Sequence, residues 1–397
     1  MPLNSIFSSW PLLFGMGILM LGAGLQSTLL GVRATLEGFP TPVIGMVMSC
    51  YYVGYLLGTL VAPPLLRKVG HVRVFAAFAA VAAASALLQA VMVTAVAWGL
   101  TRLLTGLCLA GIYVVAESWL NDRAEHANRA RLMAAYMVAL YLGLGAGQYL
   151  LLLSDPAGTV PFMAVSGLIS LALVPIVLST QPTPTVVVAR AVGFGELYRD
   201  SPFGVVGVAV AGVLTSIIFS IGPVYARLRG LDNAGVATYM AGSILGGVLS
   251  QYPVGLLADR IDRRTVIAGV CAVAGAVGAF IAWFDAVPLP LFVVLAAIFA
   301  GLVLTVYSLS VSHVNDRLEP AQMVAASSAL LLINGAAAIA GPMLASTVMG
   351  IYGPRAYYAV LAMLAVLLTL YGVWRKLRRK PVAPEHKIHH IEPQPPH

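Results

Sequence analysis

The sequence predicts an all-α membrane protein, with twelve transmembrane helices arranged as two parallel six-helix repeats. Three observations carry this: the composition, the spacing of the apolar runs and an internal repeat. Of 397 residues, 60% are hydrophobic and 10% charged. Soluble domains run at about 45–50% apolar and about 25% charged. Removing so much apolar surface from water calls for a bilayer rather than a larger core. The same richness excludes disorder, and the 39 glycines follow no three-residue period, which excludes a collagen-like chain.

A helix needs about 20 predominantly apolar residues to cross a bilayer. In order along the chain, such runs fall at 11–32, 43–66, 73–94, 98–120, 129–153, 160–180, 203–228, 235–258, 265–285, 288–314, 321–350 and 354–375. No Lys or Arg precedes Trp10 and no small-residue cleavage site follows a short apolar region, so the first run is expected to be a retained helix. All runs are expected to be helical, because lipid cannot satisfy exposed strand edges and the short alternating segments of a barrel are absent. Cys50, Cys108 and Cys271 each lie inside a run, giving neither a disulfide framework nor metal-ligand spacing.

An even number of spans puts both termini on one side. If that side is the cytoplasm, 18 basic residues face it, four (Arg33, Arg227, Arg229, Arg355) lie opposite, and Arg102 lies within the fourth run. That bias obeys the positive-inside rule and predicts cytoplasmic termini. It also explains the net charge of +8 without nucleic acid, since the basic residues fill short gaps between runs instead of lining one soluble face. The five tryptophans, at 10, 98, 119, 283 and 374, fall near run ends and are expected at the interfaces.

The repeat is read directly. Ser118-Trp-Leu-Asn-Asp-Arg123 recurs as Ser312-His-Val-Asn-Asp-Arg317, 194 residues on, and Ala135 with Ala329 and Gly147 with Gly341 keep the register. At an offset of 192, Gly38 pairs with Gly230 and Gly54 with Gly246. The expected organisation is a six-helix bundle over 1–180, a cytoplasmic connector over 181–202 with a short interfacial helix at 194–199, a second bundle over 203–375, and a basic, disordered tail over 376–397. The tail histidines at 386, 389, 390 and 397 suit solvated disorder better than metal capture. The basic run Arg375–Lys380 suits anchoring to anionic headgroups.

Two parallel six-helix halves resemble the major facilitator superfamily, and motifs make the resemblance specific. Gly255-Leu-Leu-Ala-Asp259-Arg260-Ile-Asp262-Arg263-Arg264 is similar to the signature repeated after the second and eighth helices. After the second helix, where that signature has an acid, this chain has Arg67, followed by Lys68. Arg102-Leu-Leu-Thr-Gly106 is similar to the family's fourth-helix motif. Gly143, Gly145 and Gly147 resemble the glycine-rich fifth helix of its antiporters, with Gln148 in place of a proline. Val114-Val-Ala-Glu117-Ser-Trp and Arg131-Leu-Met-Ala-Ala-Tyr136-Met look most like the YcaD-type branch.

The resemblance implies a secondary transporter in a bacterial inner membrane that works as a monomer by alternating access. It would export small organic molecules against protons, with an importer or symporter on the same fold as the alternative. A non-transporting receptor or enzyme is disfavoured, since no H-E-x-x-H, phosphate-cradling G-x-x-x-x-G-K or nucleophile–base set is present. No cofactor or metal is expected.

Ionisable residues at membrane depth are costly and mark functional positions. Glu117 and Arg102 are the proton-coupling candidates, about 22 Å apart along one helix and so unable to pair. Glu117 either carries a proton or ties down the following turn by pairing with Arg123 or Arg131. Arg102 either sets a fixed charge for a proton or an anionic substrate, or snorkels outward beside Trp98. Gln26, Tyr136, Tyr141, Tyr225, Tyr307 and Asn334 are the candidates for lining a midplane cavity, where tyrosine offers aromatic surface plus one hydrogen bond. A cytoplasmic gate is expected to pair Asp259 (beside Arg260) with Arg129 or Arg131, and Arg67 and Lys68 with Asp316 and Glu319, the sign being swapped between halves.

Overall fold

A computed structural model describes residues 9–123, 129–178, 194–284 and 287–378, apart from a few side chains that include Arg123 and Arg129. The helices of the first half are α1 (Trp10–Leu36), α2 (Thr41–Val69), α3 (His71–Val91), α4 (Ala95–Arg123), α5 (Arg129–Tyr149, closed by a 3₁₀ turn at Leu150–Leu152) and α6 (Val160–Val177). A short α7 (Phe194–Asp200) precedes α8 (Pro202–Leu228), α9 (Asn233–Arg260), α10 (Arg263–Trp283), α11 (Leu289–Asn315), α12 (Pro320–Ala338), α13 (Ala340–Tyr352) and α14 (Ala356–Arg378). Counting α12 and α13 as one span, twelve are long and apolar enough to cross a bilayer.

Helix starts follow proline, whose missing N–H costs nothing in the first turn: Pro11, Pro42, Pro161 and Pro202 all sit there. The eleventh run departs from the single helix expected of it. Pro342 offers no N–H to the carbonyl of Ala338, and the helix breaks at Ile339 between α12 and α13. The break is bridged from the other half, where Ser49 Oγ donates to the Ile339 carbonyl at 2.8 Å.

The duplication is visible in both turns and packing. Gly38 (φ 71°) and Gly230 (φ 89°) close the same hydrogen-bonded turn after α1 and α8, in the left-handed region that only glycine enters freely. Gly54 and Gly246 bring α2 against α4 and α9 against α11 so closely that a Cβ on either would strike a backbone carbonyl, of Leu103 or Ala297. In the first half α1 packs on α5 and α6, and α3 on α4 and α6; in the second, α8 packs on α12 and α14, and α10 on α11 and α14.

The halves meet along α1 with α8, α2 with α12 and α13, and α5 with α9, which is a pseudo-twofold arrangement. Here the terminal face is the one where α1 begins and α14 ends, and the distal face is its opposite. Gly31 lies against Pro223 and Val224, and Gly45 against Pro342 and Ser346. Tyr52 receives a 3.2 Å hydrogen bond from Ser220 Oγ. These contacts close the distal side.

The tryptophans divide. Trp10, Trp283 and Trp374 are exposed, but Trp98 and Trp119 are buried, contrary to the interfacial placement expected of all five. Trp98 packs near Phe39 and Phe162 and donates its indole N–H to the Gln89 carbonyl at 3.0 Å. At the end of α14, Arg378 lies 4.8 Å over the Trp374 ring. The tail beyond it, with its histidines, and most of the connector lie outside the described residues.

Candidate functional site

At about 100° per residue, Arg102, Tyr113 and Glu117 fall within about 60° of one another on α4. Arg102 sits toward the distal end and Glu117 toward the terminal end. The facing helix α2 contributes Tyr51, Tyr52 and Tyr55, with Tyr51 and Tyr55 one helical turn apart on one face. Ring centroids step 6.2 Å from Tyr51 to Tyr55 and 6.4 Å from Tyr55 to Tyr113. A line of phenol rings therefore joins the region of Arg102 to that of Glu117.

Glu117 is exposed although it lies inside a span. Among the described residues it has no hydrogen bond or ion pair, so the pairing with Arg131 weighed from the sequence is not made, and the Arg123 side chain lies outside the described residues. Its carboxylate is within electrostatic reach of the hydroxyls of Tyr55, Tyr113, Tyr136 and Tyr307, from α2, α4, α5 and α11. Tyr136 is fully buried, and its hydroxyl has no hydrogen-bond partner among the described residues. Tyr113 donates to the Met20 sulfur at 3.1 Å.

Arg102 does not snorkel. It is 4% exposed, with its guanidinium carbon 4.4 Å from the centroid of the Tyr51 ring and its Nε buried without an acceptor. Trp98, its expected companion at the interface, is itself buried.

The other cavity candidates separate. Tyr141 lies near Gln251 of α9 across the halves, and Tyr307 faces the Glu117 group. Asn334 instead ties α12 to α8 by donating to the Val208 carbonyl at 3.0 Å. Gln26 is buried and donates to Gln89 at 2.9 Å, and Gln89 donates on to Thr101 at 3.2 Å, so in this conformation it serves packing rather than a cavity. Tyr225 belongs to an aromatic cluster in the second half: it stacks on Tyr357 at 4.5 Å and accepts from Arg229 at 3.0 Å. Gln148 bonds the Gly24 and Leu144 carbonyls and accepts from Thr28, fastening α5 to α1 where the antiporter pattern has proline.

Among the described side chains, which exclude that of Arg129, none of the expected gate pairs is formed in this conformation. Arg263 binds Asp316 and lies 4.0 Å from Asp259, so both acids are held within the second half. Glu319 caps α12 through a capping box with Gln322. Arg67, Lys68, Arg131 and Arg260 are exposed and make no ion pair among the described residues, and the Arg129 side chain lies outside them.

Sequence reasoning missed Tyr51, Tyr52, Tyr55 and Tyr113. The signal was present as Tyr-Tyr-x-x-Tyr in the second run, at the spacing that puts rings on one helix face.

Residues 12–250 and 230–395 match the sequence profile of the Major Facilitator Superfamily. The chain belongs to the major facilitator superfamily. It is 29% identical over 363 residues to the uncharacterized MFS-type transporter YcaD of Salmonella enteritidis PT4, covering 90% of this chain and 93% of the relative. The YcaD protein of Salmonella heidelberg is 30% identical over 364 residues, with the same coverage. Among solved structures, the nucleoside transporter NupG superposes with a TM-score of 0.79 at 15% identity, covering 94% of this chain and 100% of that one. A bacterial homologue of the human lysosomal transporter Spinster, inward-facing and unoccupied, gives 0.72 at 14% identity over 93% and 95% of the two chains. These structural likenesses show the fold. This chain is thus a multi-pass, MFS-type secondary transporter, and its relatives are transporters rather than enzymes.

Proposed function

We propose that this transporter exports small organic molecules from a bacterial cytoplasm in exchange for protons, with Glu117 as the proton carrier. The observation behind this reading is a carboxylate inside a span, unpartnered among the described residues, open to water and ringed by phenols. A carboxylate at that depth gains or loses its proton as its surroundings change from wet to dry, which links protonation to the state of the cleft. The terminal face is the cytoplasmic one, by the excess of basic residues on that side. The two six-helix bundles rock about the cleft as a monomer.

The test uses the full chain in proteoliposomes, with ligands first found by thermal-shift screening, since binding stabilises the folded protein by mass action. With acid outside, exchange drives protons in and preloaded ligand out, whereas a symporter moves both inward. Glu117→Gln should abolish gradient-driven flux while binding and counterflow persist. Concentration of ligand by Glu117→Gln at the wild-type rate would falsify the assignment.

A further inference from the structure

We propose that Arg102 and the face of Tyr51 form the anchoring subsite for substrate, and that the substrate class is an aromatic organic anion, a carboxylate on a planar ring. Arg102 is the sole Arg, Lys, Asp or Glu among the described residues that is buried. Other arginines that leave water take a protein acceptor. Arg33 bonds the Pro156 carbonyl and pairs with Glu37, Arg227 bonds the Leu231 carbonyl, and Arg229 bonds the Tyr225 hydroxyl. Arg102 has a ring face at 4.4 Å instead, and a buried Nε with nothing to donate to.

A buried cation held only by a ring is incompletely compensated, because burying charge is costly unless it is both paired and hydrogen-bonded. Among the described residues no carboxylate pairs with it. Glu117 is about 22 Å away along the same helix, and Glu37 is taken by Arg33. A ligand from outside would supply the acceptor that Nε lacks, and a guanidinium fork matches a carboxylate with two parallel hydrogen bonds.

The position suits an anchor. Arg102 lies toward the closed distal end of the cleft, beside Tyr52, which bridges the halves to Ser220. A molecule entering from the terminal face would reach it last. The way there is lined by Tyr55 and Tyr113, whose ring faces favour a flat, partly apolar body. Charge at one end and phenol rings along the rest describe an aromatic acid better than a sugar or a cation.

This inference rests on the transporter reading above but not on proton coupling, and its test is binding at fixed pH without a gradient, so either can fail alone. The purified full chain is titrated with benzoate, salicylate, 1-naphthoate and indole-3-acetate, with benzamide, acetate and chloride as controls, followed by calorimetry and by thermal stabilisation. At least one aromatic acid should bind, with benzamide and acetate at least tenfold weaker. Arg102→Gln should weaken that acid at least tenfold, Arg102→Lys less, and Tyr51→Leu severalfold. The proposal is overturned if no aromatic acid binds, if benzamide binds as tightly as benzoate, or if a monodisperse Arg102→Gln protein retains wild-type affinity. Should Arg102→Gln not fold, the comparison of acid with amide on the unmodified protein decides alone.

Discussion

The two halves share a skeleton and differ in their chemistry. Gly54 and Gly246 hold equivalent helix pairs at equal closeness, and Gly38 and Gly230 turn the chain identically. Yet 194 residues beyond Arg102 stands Ala296, and 194 beyond Glu117 stands Val311. The second half fills the corresponding region with an aromatic cluster, in which Tyr239 is bonded to Tyr357 and Tyr358 and stacked on Phe292 at 5.2 Å. Tyr113 and Tyr307 are equivalent by the same offset and approach the same carboxylate from opposite halves. The close glycine packing stands in both copies. Charge is concentrated in one, because a single acid and a single cation suffice for a cleft that both halves line.

The largest expected effect breaks the comparison at the acid. Glu117→Gln lowers gradient-driven flux to background, and adding Val311→Glu does not restore it, because the second half lacks the buried Tyr136 beside that position. Restoration, read as dye-reported proton movement in proteoliposomes, would show that the halves are chemically interchangeable.

The next tests the shared skeleton. Gly54→Ala and Gly246→Ala each force a methyl group onto a backbone carbonyl, and overpacking of this kind costs about 1–3 kcal/mol. The two losses, measured by thermal unfolding in one detergent, should agree to within about 1 kcal/mol on that scale. A large inequality would mean that the halves pack less alike than their turns indicate.

Tyr136→Phe is subtler. Its hydroxyl has no hydrogen-bond partner among the described residues, so removing it should leave the empty protein as stable as before, while ligand affinity falls by about 1 kcal/mol for one lost hydrogen bond. Tyr141→Phe, which removes a hydroxyl lying near Gln251 across the halves, should by contrast lower the stability of the empty protein. Reversed outcomes for the two would exchange their roles.

The smallest effects lie at the gate. Asp259 is largely exposed and 4.0 Å from Arg263, and exposed pairs contribute about 0–1 kcal/mol. Asp259→Asn and Arg67→Glu should each shift the population modestly toward the terminal-open state, seen as faster labelling of cysteines placed in the cleft. Adding Asp316→Arg to Arg67→Glu should restore closure only in part, because Arg263 already holds Asp316. Unchanged labelling in the single variants would reduce these charges to topology.

How much of this was legible in the sequence depends on what each residue responds to. Spans and repeat were legible because hydropathy and turn glycines are local properties. Glu117 and Arg102 stood out because charge in an apolar run needs no partner to be noticed. Their surroundings did not. Tyr51 and Tyr113 gain meaning only once α2 lies on α4, and Gln26 and Tyr225, polar residues at a suitable depth, turn out to satisfy neighbours. The inward burial of Trp98 escaped for the same reason: distance from a run's end says nothing about which way a ring faces. The break at Ile339 was legible in Pro342 and was passed over, since proline is tolerated within membrane helices.

Arg102 has one more consequence, for how the chain enters the membrane. During synthesis the fourth span meets the translocon before its ring partners are in place. An arginine at a helix centre costs about 2.5–3.5 kcal/mol there, which is an upper bound for Arg102 toward the helix end. Eight nearby apolar residues, Leu100, Leu103, Leu104, Leu107, Leu109, Ile112, Val114 and Val115, each return about 0.3–0.6 kcal/mol, so together they offset the charge. Biogenesis of the transporter therefore leans on side chains such as Leu104, exposed on the outside of the bundle, so a polar substitution there would cost insertion before it cost transport.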